Sequence, residues 1–412
     1  MSCTAVPAET RALSLGADPV ATRAKRAVTG AFLASGFAFA SWASRVPQVR
    51  QSLDLSPGAL GLVLLAIACG SILALPLAGI IVTRLGTART VSCMSSILAA
   101  GLATAAVGQH YSVVPVVIGL FLLGFGNGTW DVAMNVAGAS VEQRLRRSIM
   151  SRFHAAFSLG TVAGALLGTA MVALRVPVMA HLLAVAGGIA LVVPVVVRSF
   201  LGAVPYPADR RIEQAAGRHP LRAWGEPRTL LIGLLVLSMA FSEGTGNDWL
   251  GIAIIDGYRA PAVLGLLTFT VFLAAMTAGR WFGPPVLDRY GRVSVLRVSA
   301  GCAFAGLFAV SFGGSVPVSM AGAALWGLGT ALGFPVGMSA AADDPLLAAG
   351  RVSVVASIGY VAFLAGPPLI GFLGNRLGVL HALTAAAGLL AVGLLSAGAT
   401  RPVPMGTGAA VR

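Results

Sequence analysis

Twelve long apolar stretches dominate this chain of 412 residues. A membrane-spanning helix needs about twenty mostly apolar residues, because each unpaired backbone amide in lipid costs several kcal/mol. Transmembrane β-strands would instead show shorter segments of alternating hydrophobicity. The sequence therefore predicts an all-α membrane protein. The predicted spans lie at 27–46, 58–82, 91–109, 113–139, 149–173, 177–201, 229–255, 262–287, 294–313, 316–341, 352–374 and 378–398.

Charged residues agree with this interpretation. They make up only 10% of the chain, whereas soluble domains carry about a quarter. With a cytoplasmic amino terminus, 23 of the 28 basic residues fall in the tails and cytoplasmic connections, and the others are Arg45, Arg50, Arg175, Arg259 and Arg376. Cytoplasmic loops are enriched in basic residues, which predicts a bacterial inner-membrane protein with both termini in the cytoplasm. Because the charges are dispersed over short loops, the net charge of +14 fits contact with anionic lipid and predicts no nucleic-acid partner.

The longest hydrophilic segment lies at the centre and separates six spans from six. Two halves joined by a cytoplasmic linker are typical of carriers whose solute site lies between the halves. We predict the following organisation: a cytoplasmic tail at 1–26, a six-helix bundle at 27–201, a linker at 202–228, a second six-helix bundle at 229–398 and a tail at 399–412.

A short motif recurs once in each half. Residues 79–86 read Gly-Ile-Ile-Val-Thr-Arg-Leu-Gly after the second span, and residues 284–292 read Pro-Pro-Val-Leu-Asp-Arg-Tyr-Gly-Arg after the eighth. This pair resembles the Gly-x-x-x-Asp-Arg-x-Gly-Arg signature of the major facilitator superfamily, except that Thr83 replaces Asp and Pro284 replaces the leading Gly. The resemblance runs from about Ala27 to Thr400. It implies two pseudo-symmetric six-helix bundles and a monomer without a cofactor.

Four further segments resemble the branch that includes rhizopine-type and fucose-type permeases. They lie at 41–47, 131–135, 153–160 and 243–249. The branch implies a sugar- or cyclitol-like solute. The two related halves predict alternating access, and the carboxyl groups within the spans predict protons as the coupling ion. The fifth span lacks the Gly-Pro signature of drug/proton antiporters. Two alternatives stay open, namely proton-driven efflux of a drug or metabolite and a receptor that senses a solute without moving it.

An enzyme is not predicted. The chain has no His-Glu-x-x-His zinc motif, no phosphate-binding glycine-lysine loop and no nucleophile elbow. Its cysteines, Cys3, Cys69, Cys93 and Cys302, lie far apart and suggest neither a disulfide framework nor a metal site.

Ionisable residues within the spans are the sharpest functional signals, because each costs at least about 2.5 kcal/mol at the bilayer centre unless paired or hydrated. A carboxyl group in a partly dry cavity can bind and release a proton near neutral pH. Glu243 is the first proton-coupling candidate, with a structural ion pair as the competing interpretation. Asp131 is predicted as a proton site or a gate. Asp248 and His154 are also candidates, although a structural role is favoured for both.

Solute-binding residues are predicted beside these groups. Asn127 lies four residues before Asp131, and Asn247 lies four residues after Glu243, so each pair shares one helical face. Both amides could hydrogen-bond a solute hydroxyl. Four tryptophans offer apolar faces to a sugar ring, although simple packing is the competing interpretation. They are Trp42, Trp130, Trp249 and Trp326.

A cytoplasmic gate is predicted from the symmetry of the two halves. Glu142 follows the fourth span and could pair with Arg84, which follows the second. In the second half, Asp343 or Asp344 follows the tenth span and could pair with Arg289. Such ion pairs would hold the inner side closed, although exposed pairs are often worth less than about 1 kcal/mol.

Overall fold

The structure is a computed structural model that describes residues 18–145, 149–201, 222–344 and 347–402. Within these ranges it contains twelve helices long and apolar enough to cross a membrane, and no strand. The helices are α1 (Pro19–Ala43, continued by Val46–Ser52), α2 (Pro57–Leu85), α3 (Thr87–Gly108), α4 (Val113–Leu145), α5 (Met150–Ala173), α6 (Val178–Val196), α7 (Pro227–Gly257), α8 (Ala262–Tyr290), α9 (Arg292–Phe312), α10 (Val316–Thr330, continued by Gly333–Ala341), α11 (Ala348–Leu377) and α12 (Val379–Ala382, continued by Thr384–Ser396). The predicted all-α fold with twelve spans is confirmed.

Successive helices run in opposite directions, so α1 begins and α12 ends on the same side. We call this side the terminal face and the other side the opposite face. Helix α6 ends and α7 begins at the terminal face, and residues 202–221 of the predicted linker between them fall outside the described ranges, as do the tails 1–17 and 403–412. The basic residues make the terminal face the predicted cytoplasmic side.

The first helix begins at Pro19, earlier than the predicted span. Asp18 caps it, because its carboxylate accepts hydrogen bonds from the backbone N–H groups of Val20 (2.9 Å) and Ala21 (3.1 Å), and proline is well suited to the first helical position. Hydropathy marks the part of a helix that crosses lipid rather than the whole helix. For this reason the polar first turns of α1, with Arg23, were not predicted.

Ion pairs at the terminal face show the relation between the halves. In the first half, Arg144 at the end of α4 pairs with Asp18 at the start of α1, at 2.7 Å. In the second half, Asp343 near the end of α10 pairs at 2.8 Å with Arg228 at the start of α7. The same two helices are therefore joined in each half, with the charges exchanged.

Glycines allow the helices within each half to pack closely. A Cβ atom on Gly124 of α4 would collide with the carbonyl group of Ile67 on α2, and one on Gly327 of α10 would collide with the carbonyl group of Phe272 on α8. These positions correspond in the two halves. Small residues at such contacts are what drives helix association in lipid, where burying leucine against leucine gains little.

Two pairs of helices provide most of the contacts between the halves. Helix α2 packs against α11, and α5 packs against α8. The hydrogen bonds and ion pairs that join the halves within the described ranges are Arg50–Asp256, Gly58–Asn375, Thr169–Thr270, Thr277–Ser158 and Arg280–Ser158. The outermost of these contacts, Arg50–Asp256 and Gly58–Asn375, close the opposite face, and we call them the seal.

Backbone contact strengthens this seal. The side-chain amide oxygen of Asn375 on α11 accepts a hydrogen bond from the backbone N–H of Gly58 at the start of α2, at 3.0 Å. One turn further along α2, a Cβ atom on Gly61 would collide with the carbonyl group of Pro367. At the opposite face, the ends of α2 and α11 are thus too close to leave a passage between them.

Candidate functional site

A cavity of about 310 Å³ lies between the two halves, on the terminal side of the seal. Seven helices line it, α1, α2, α4, α5 and, from the second half, α7, α8 and α11. Its polar lining is unusual for a membrane interior, because it includes three carboxyl groups and a guanidinium group. The polar lining residues are Ser71, Asn127, Asp131, Thr161, Glu243, Asn247, Asp248, Arg280 and Tyr360.

Glu243, the first proton-coupling candidate, forms an ion pair with Arg280. The Nη2 atom of Arg280 lies 2.8 Å from Oε1 of Glu243. The same guanidinium also reaches the backbone oxygen of Ala331 on α10 (3.4 Å) and Oγ of Ser158 on α5 (3.5 Å). The side chains of Glu243 and Arg280 keep only 16% and 24% of their surface exposed. One guanidinium therefore connects three helices of the second half and touches the first half.

Asp131 and Asp248 also line the cavity, but neither forms a salt bridge within the described ranges. Asp131 accepts a hydrogen bond from the side-chain amide of Asn135, at 3.2 Å. Asp248 has no hydrogen-bond partner among the described residues. In this conformation neither aspartate is held by a basic side chain of the described residues, whereas Glu243 is paired with Arg280.

The two predicted asparagines lie in the cavity wall. Oδ1 of Asn127 accepts a hydrogen bond from Oγ of Ser35 on α1, at 2.8 Å. Oδ1 of Asn247 is buried and has no hydrogen-bond partner in the described part of the chain. A buried polar atom without a partner is costly. The amide oxygen of Asn247 is therefore an unused hydrogen-bond acceptor in the cavity wall.

The four tryptophans do not line this cavity. Trp42 is 2% exposed, and Trp130, Trp249 and Trp326 are completely buried among neighbouring helices. The indole of Trp326 illustrates the packing role, since its Nε1 donates to Oγ of Ser242 at 2.7 Å. The aromatic side chains that do line the cavity are Phe39, Phe157, Tyr360 and Phe363. Tyr360 and Phe363 share one face of α11 because they lie three residues apart.

The predicted gate residues do not pair with one another in this conformation. The carboxylate of Glu142 instead accepts hydrogen bonds from the backbone N–H groups of Ile149 and Met150, both at 2.7 Å, and so caps the start of α5. Arg84 is exposed and has no ion-pair partner within the described ranges. The Arg84–Glu142 pair would form only in another conformation.

In the second half, Asp343 pairs with Arg292 (2.6 Å) in addition to Arg228. Asp344 lies 3.9 Å from Arg351, and Arg289 lies over the ring of Tyr290. The acidic groups after α10 thus have basic partners other than Arg289.

His154 lies on α5, apart from the residues that line the cavity. Its imidazole makes an edge contact with the ring of Phe32 on α1, with the ring centroids 5.2 Å apart. The neighbouring Phe153 is buried and stacks on Phe32, with the ring centroids 5.7 Å apart. His154 itself remains exposed on α5 and touches α1 only through this ring contact.

Comparison with known proteins decides the family. The family model described as Major Facilitator Superfamily matches residues 27–353. The chain belongs to the Major Facilitator Superfamily. The resemblance of its motifs to this superfamily is confirmed, and the protein is a multi-pass membrane transporter.

The chain is similar to superfamily relatives and to solved structures along most of its length. It is 30% identical over 354 residues to the uncharacterized transporter y4wD of Sinorhizobium fredii, covering 85% of this chain and 91% of the relative. It is 29% identical over 380 residues to the membrane protein MosC of Rhizobium meliloti, covering 90% of this chain and 88% of that protein. The fold matches a D-xylose-proton symporter with a TM-score of 0.72 at 15% identity, covering 93% of this chain and 98% of the symporter.

Proposed function

We propose that this protein is a proton-coupled secondary transporter of a small sugar- or cyclitol-like solute. In this proposal it lies in the bacterial plasma membrane with both termini in the cytoplasm. The observation that carries the proposal is a cavity between the halves in which Asp131 and Asp248 have no basic partner among the described residues. These carboxyl groups lie beside hydrogen-bonding groups suited to hydroxyls, and contacts between the halves close the opposite face.

The size and chemistry of the cavity favour a small polyhydroxylated solute. A volume of about 310 Å³ is at the lower end of ligand pockets, which measure about 300–1,000 Å³. Asn127, Asn247 and Tyr360 offer hydrogen-bonding groups to hydroxyls. Phe157 and Phe363 offer apolar faces on which the C–H groups of a sugar ring can pack. The D-xylose-proton symporter with the same fold supports this solute class.

Proton coupling is assigned to the carboxyl groups without an ion pair, with Asp248 first. Counted along the helix axis at 1.5 Å per residue, Asp248 lies roughly 32 Å from the terminal end of α7, and Asp131 lies roughly 21 Å from the terminal end of α4. Asp248 is therefore nearer the sealed face. It would be the first of the two to meet water when the opposite face opens.

The position of the seal supports alternating access. In this conformation the contacts between α2 and α11 close the opposite face, and the cavity lies on their terminal side. Rocking of the halves would open the contacts between α2 and α11 and bring the terminal ends together. The solute site would then be exposed to the other side of the membrane.

The proposal is tested by transport in proteoliposomes with an imposed pH gradient. We expect one solute among monosaccharides, cyclitols and their methyl ethers to be accumulated at least tenfold, and the accumulation to collapse when a protonophore dissipates the gradient. The same solute should exchange in counterflow without a gradient. Liposomes without protein are the control.

Each other outcome would contradict part of the proposal. Binding without counterflow would indicate a receptor, and export of apolar compounds against the gradient would indicate an efflux antiporter. Accumulation that survives the protonophore would contradict proton coupling.

The ion pair between Arg50 and Asp256 gives a prediction about the seal. It joins the α1 segment Val46–Ser52 to the end of α7 at the opposite face. Because 19% and 37% of the two side chains remain exposed, the pair is worth at most about 1 kcal/mol. We expect Arg50→Asp or Asp256→Arg to lower the rate of counterflow two- to fivefold, and the double exchange to restore it.

The matched control is the exposed ion pair between Asp18 and Arg144, which joins two helices of one half. Arg144→Ala should leave the counterflow rate within about twofold of the wild-type rate. If the double exchange at Arg50 and Asp256 is no faster than either single variant, this ion pair does not contribute to the seal.

A further inference from the structure

A second cavity lies outside the transport path, on the outer surface of the second half. It is an apolar groove of about 530 Å³ between α8 and α9, with α10 as its floor. Phe282 of α8 and Val298 of α9 form its walls and are 68% and 66% exposed. In a membrane these side chains contact lipid rather than water. We call this feature the α8–α9 groove.

Helix packing explains why the groove exists. A Cβ atom on Gly279 of α8 would press against Ala331 of α10, and one on Gly283 would press against Leu332. These glycines hold α8 tightly on α10, while α9 packs on α10 along its own face through Gly306. Consecutive helices α8 and α9 are thus joined through α10 and leave a gap between them. The gap is a fixed consequence of the fold.

The groove has the depth of one lipid leaflet. It extends from Tyr290, the last residue of α8, to Ala278. At 1.5 Å per residue this length corresponds to roughly 18 Å along the membrane normal. The whole hydrocarbon core is about 30 Å thick. A single acyl chain that enters from the terminal face would therefore fill the groove along its length.

An arginine lies beside the end of the groove at the terminal face. The guanidinium carbon of Arg289 lies 5.3 Å from the ring centroid of Tyr290, and this tyrosine lines the groove. Arg289 is exposed and has no ion-pair partner in the described part of the chain. The hydroxyl-bearing Ser294, in the first turn of α9, lines the same end. A cation and a hydroxyl donor at the end of an apolar channel match a phosphate group attached to an acyl chain.

We propose that the α8–α9 groove binds one acyl chain of an anionic phospholipid, and that Arg289 holds its phosphate headgroup at the terminal face. The lipid would fill the gap that the packing of α8 and α9 on α10 leaves open. This site is separate from the solute cavity and does not depend on which solute is transported.

Native mass spectrometry of the purified full-length protein tests the proposal. The probes are phosphatidylglycerol and phosphatidylcholine with the same acyl chains, added in equal amounts. We expect one phospholipid to be retained, with phosphatidylglycerol preferred at least fivefold. Arg289→Gln should reduce this preference to below twofold. Val298→Trp, which fills the groove, should lower the retention of both lipids at least fivefold.

Two variants serve as matched controls. Arg84 occupies the position of Arg289 in the first half but is followed by Leu85 rather than a tyrosine, so Arg84→Gln should keep the preference. Val192 is 57% exposed on α6, outside the groove, so Val192→Trp should keep the retention. All four variants should remain monodisperse, with unchanged unfolding temperatures.

Three results would overturn the proposal. Retention of phosphatidylglycerol by Val298→Trp at the wild-type level would place the lipid elsewhere. An equal loss of preference in Arg84→Gln and Arg289→Gln would show a general effect of surface charge. A dimer that is present in the wild type and lost in Val298→Trp would identify a second copy of the chain as the occupant.

Discussion

Replacing Arg280 with Gln is expected to lower both counterflow and proton-driven uptake more than tenfold. The substitution leaves the carboxylate of Glu243 without its partner at 2.8 Å and removes the contacts of the guanidinium with Ala331 and Ser158. An unpaired charge in a fully buried site costs about 3–5 kcal/mol. Because both side chains keep some exposure to the cavity, we expect a smaller loss of roughly 1–3 kcal/mol.

The double variant Glu243→Gln/Arg280→Gln separates folding from transport. Removing both charges leaves no unpaired ion, so the unfolding temperature should return close to that of the wild type. Transport should stay low, because the connection between α7, α8 and α10 is still missing. Arg198→Gln, at an exposed arginine after α6, is the control for the loss of a basic residue. Wild-type counterflow in Arg280→Gln would show that the ion pair does not organise the site.

The cavity residues could be predicted from the sequence because the membrane restricts where polar side chains can point. A carboxyl or amide group in a membrane helix cannot face lipid, so it must face a cavity or another helix. Asn127, Asp131, Glu243, Asn247 and Asp248 were selected for this reason, and the structure places all five in one cavity wall. The number of helices was predictable on similar grounds, since each span must satisfy its own backbone hydrogen bonds.

The partner of Glu243 could not be predicted in the same way. Arg280 lies 37 residues further along the chain, and sequence alone does not show which faces of α7 and α8 meet. For the tryptophans, the sequence predicted a role in the cavity that the structure does not show. Their size suggested a stacking surface, but all four are buried. Tyr360 was overlooked, although an aromatic hydroxyl in a span is a polar group that needs a partner.

The gate residues were the least predictable, because long exposed side chains choose among several partners. The symmetry of the two halves was the basis for pairing Glu142 with Arg84, and Asp343 or Asp344 with Arg289. It did not show that Glu142 would cap the start of α5 or that Asp343 would take Arg228 and Arg292. Exposed ion pairs differ by less than about 1 kcal/mol, so motif symmetry cannot select between them.

Asp248→Asn is expected to abolish proton-driven accumulation while leaving counterflow within about twofold of the wild-type rate. Asparagine keeps the shape and hydrogen-bonding capacity of the side chain but cannot carry a proton. Counterflow needs only the exchange of solute between the two faces, so it does not require the proton site to empty. Wild-type uptake should fall as the external pH rises, whereas the residual uptake of Asp248→Asn should not change with pH. Both are measured in proteoliposomes with an imposed pH gradient.

Two other aspartates provide the control variant and the test of the alternative proton site. Asp54 lies in the exposed turn between α1 and α2 with a positive φ of 48°, a conformation that asparagine tolerates, so Asp54→Asn should accumulate solute normally. Asp131→Asn is the decisive comparison, because Asp131 lines the same cavity but accepts a hydrogen bond from Asn135. If Asp131→Asn rather than Asp248→Asn separates accumulation from counterflow, the proton is carried on α4. If both variants accumulate solute normally, neither carboxyl group couples protons to transport, and proton movement would have to pass through the Glu243–Arg280 pair.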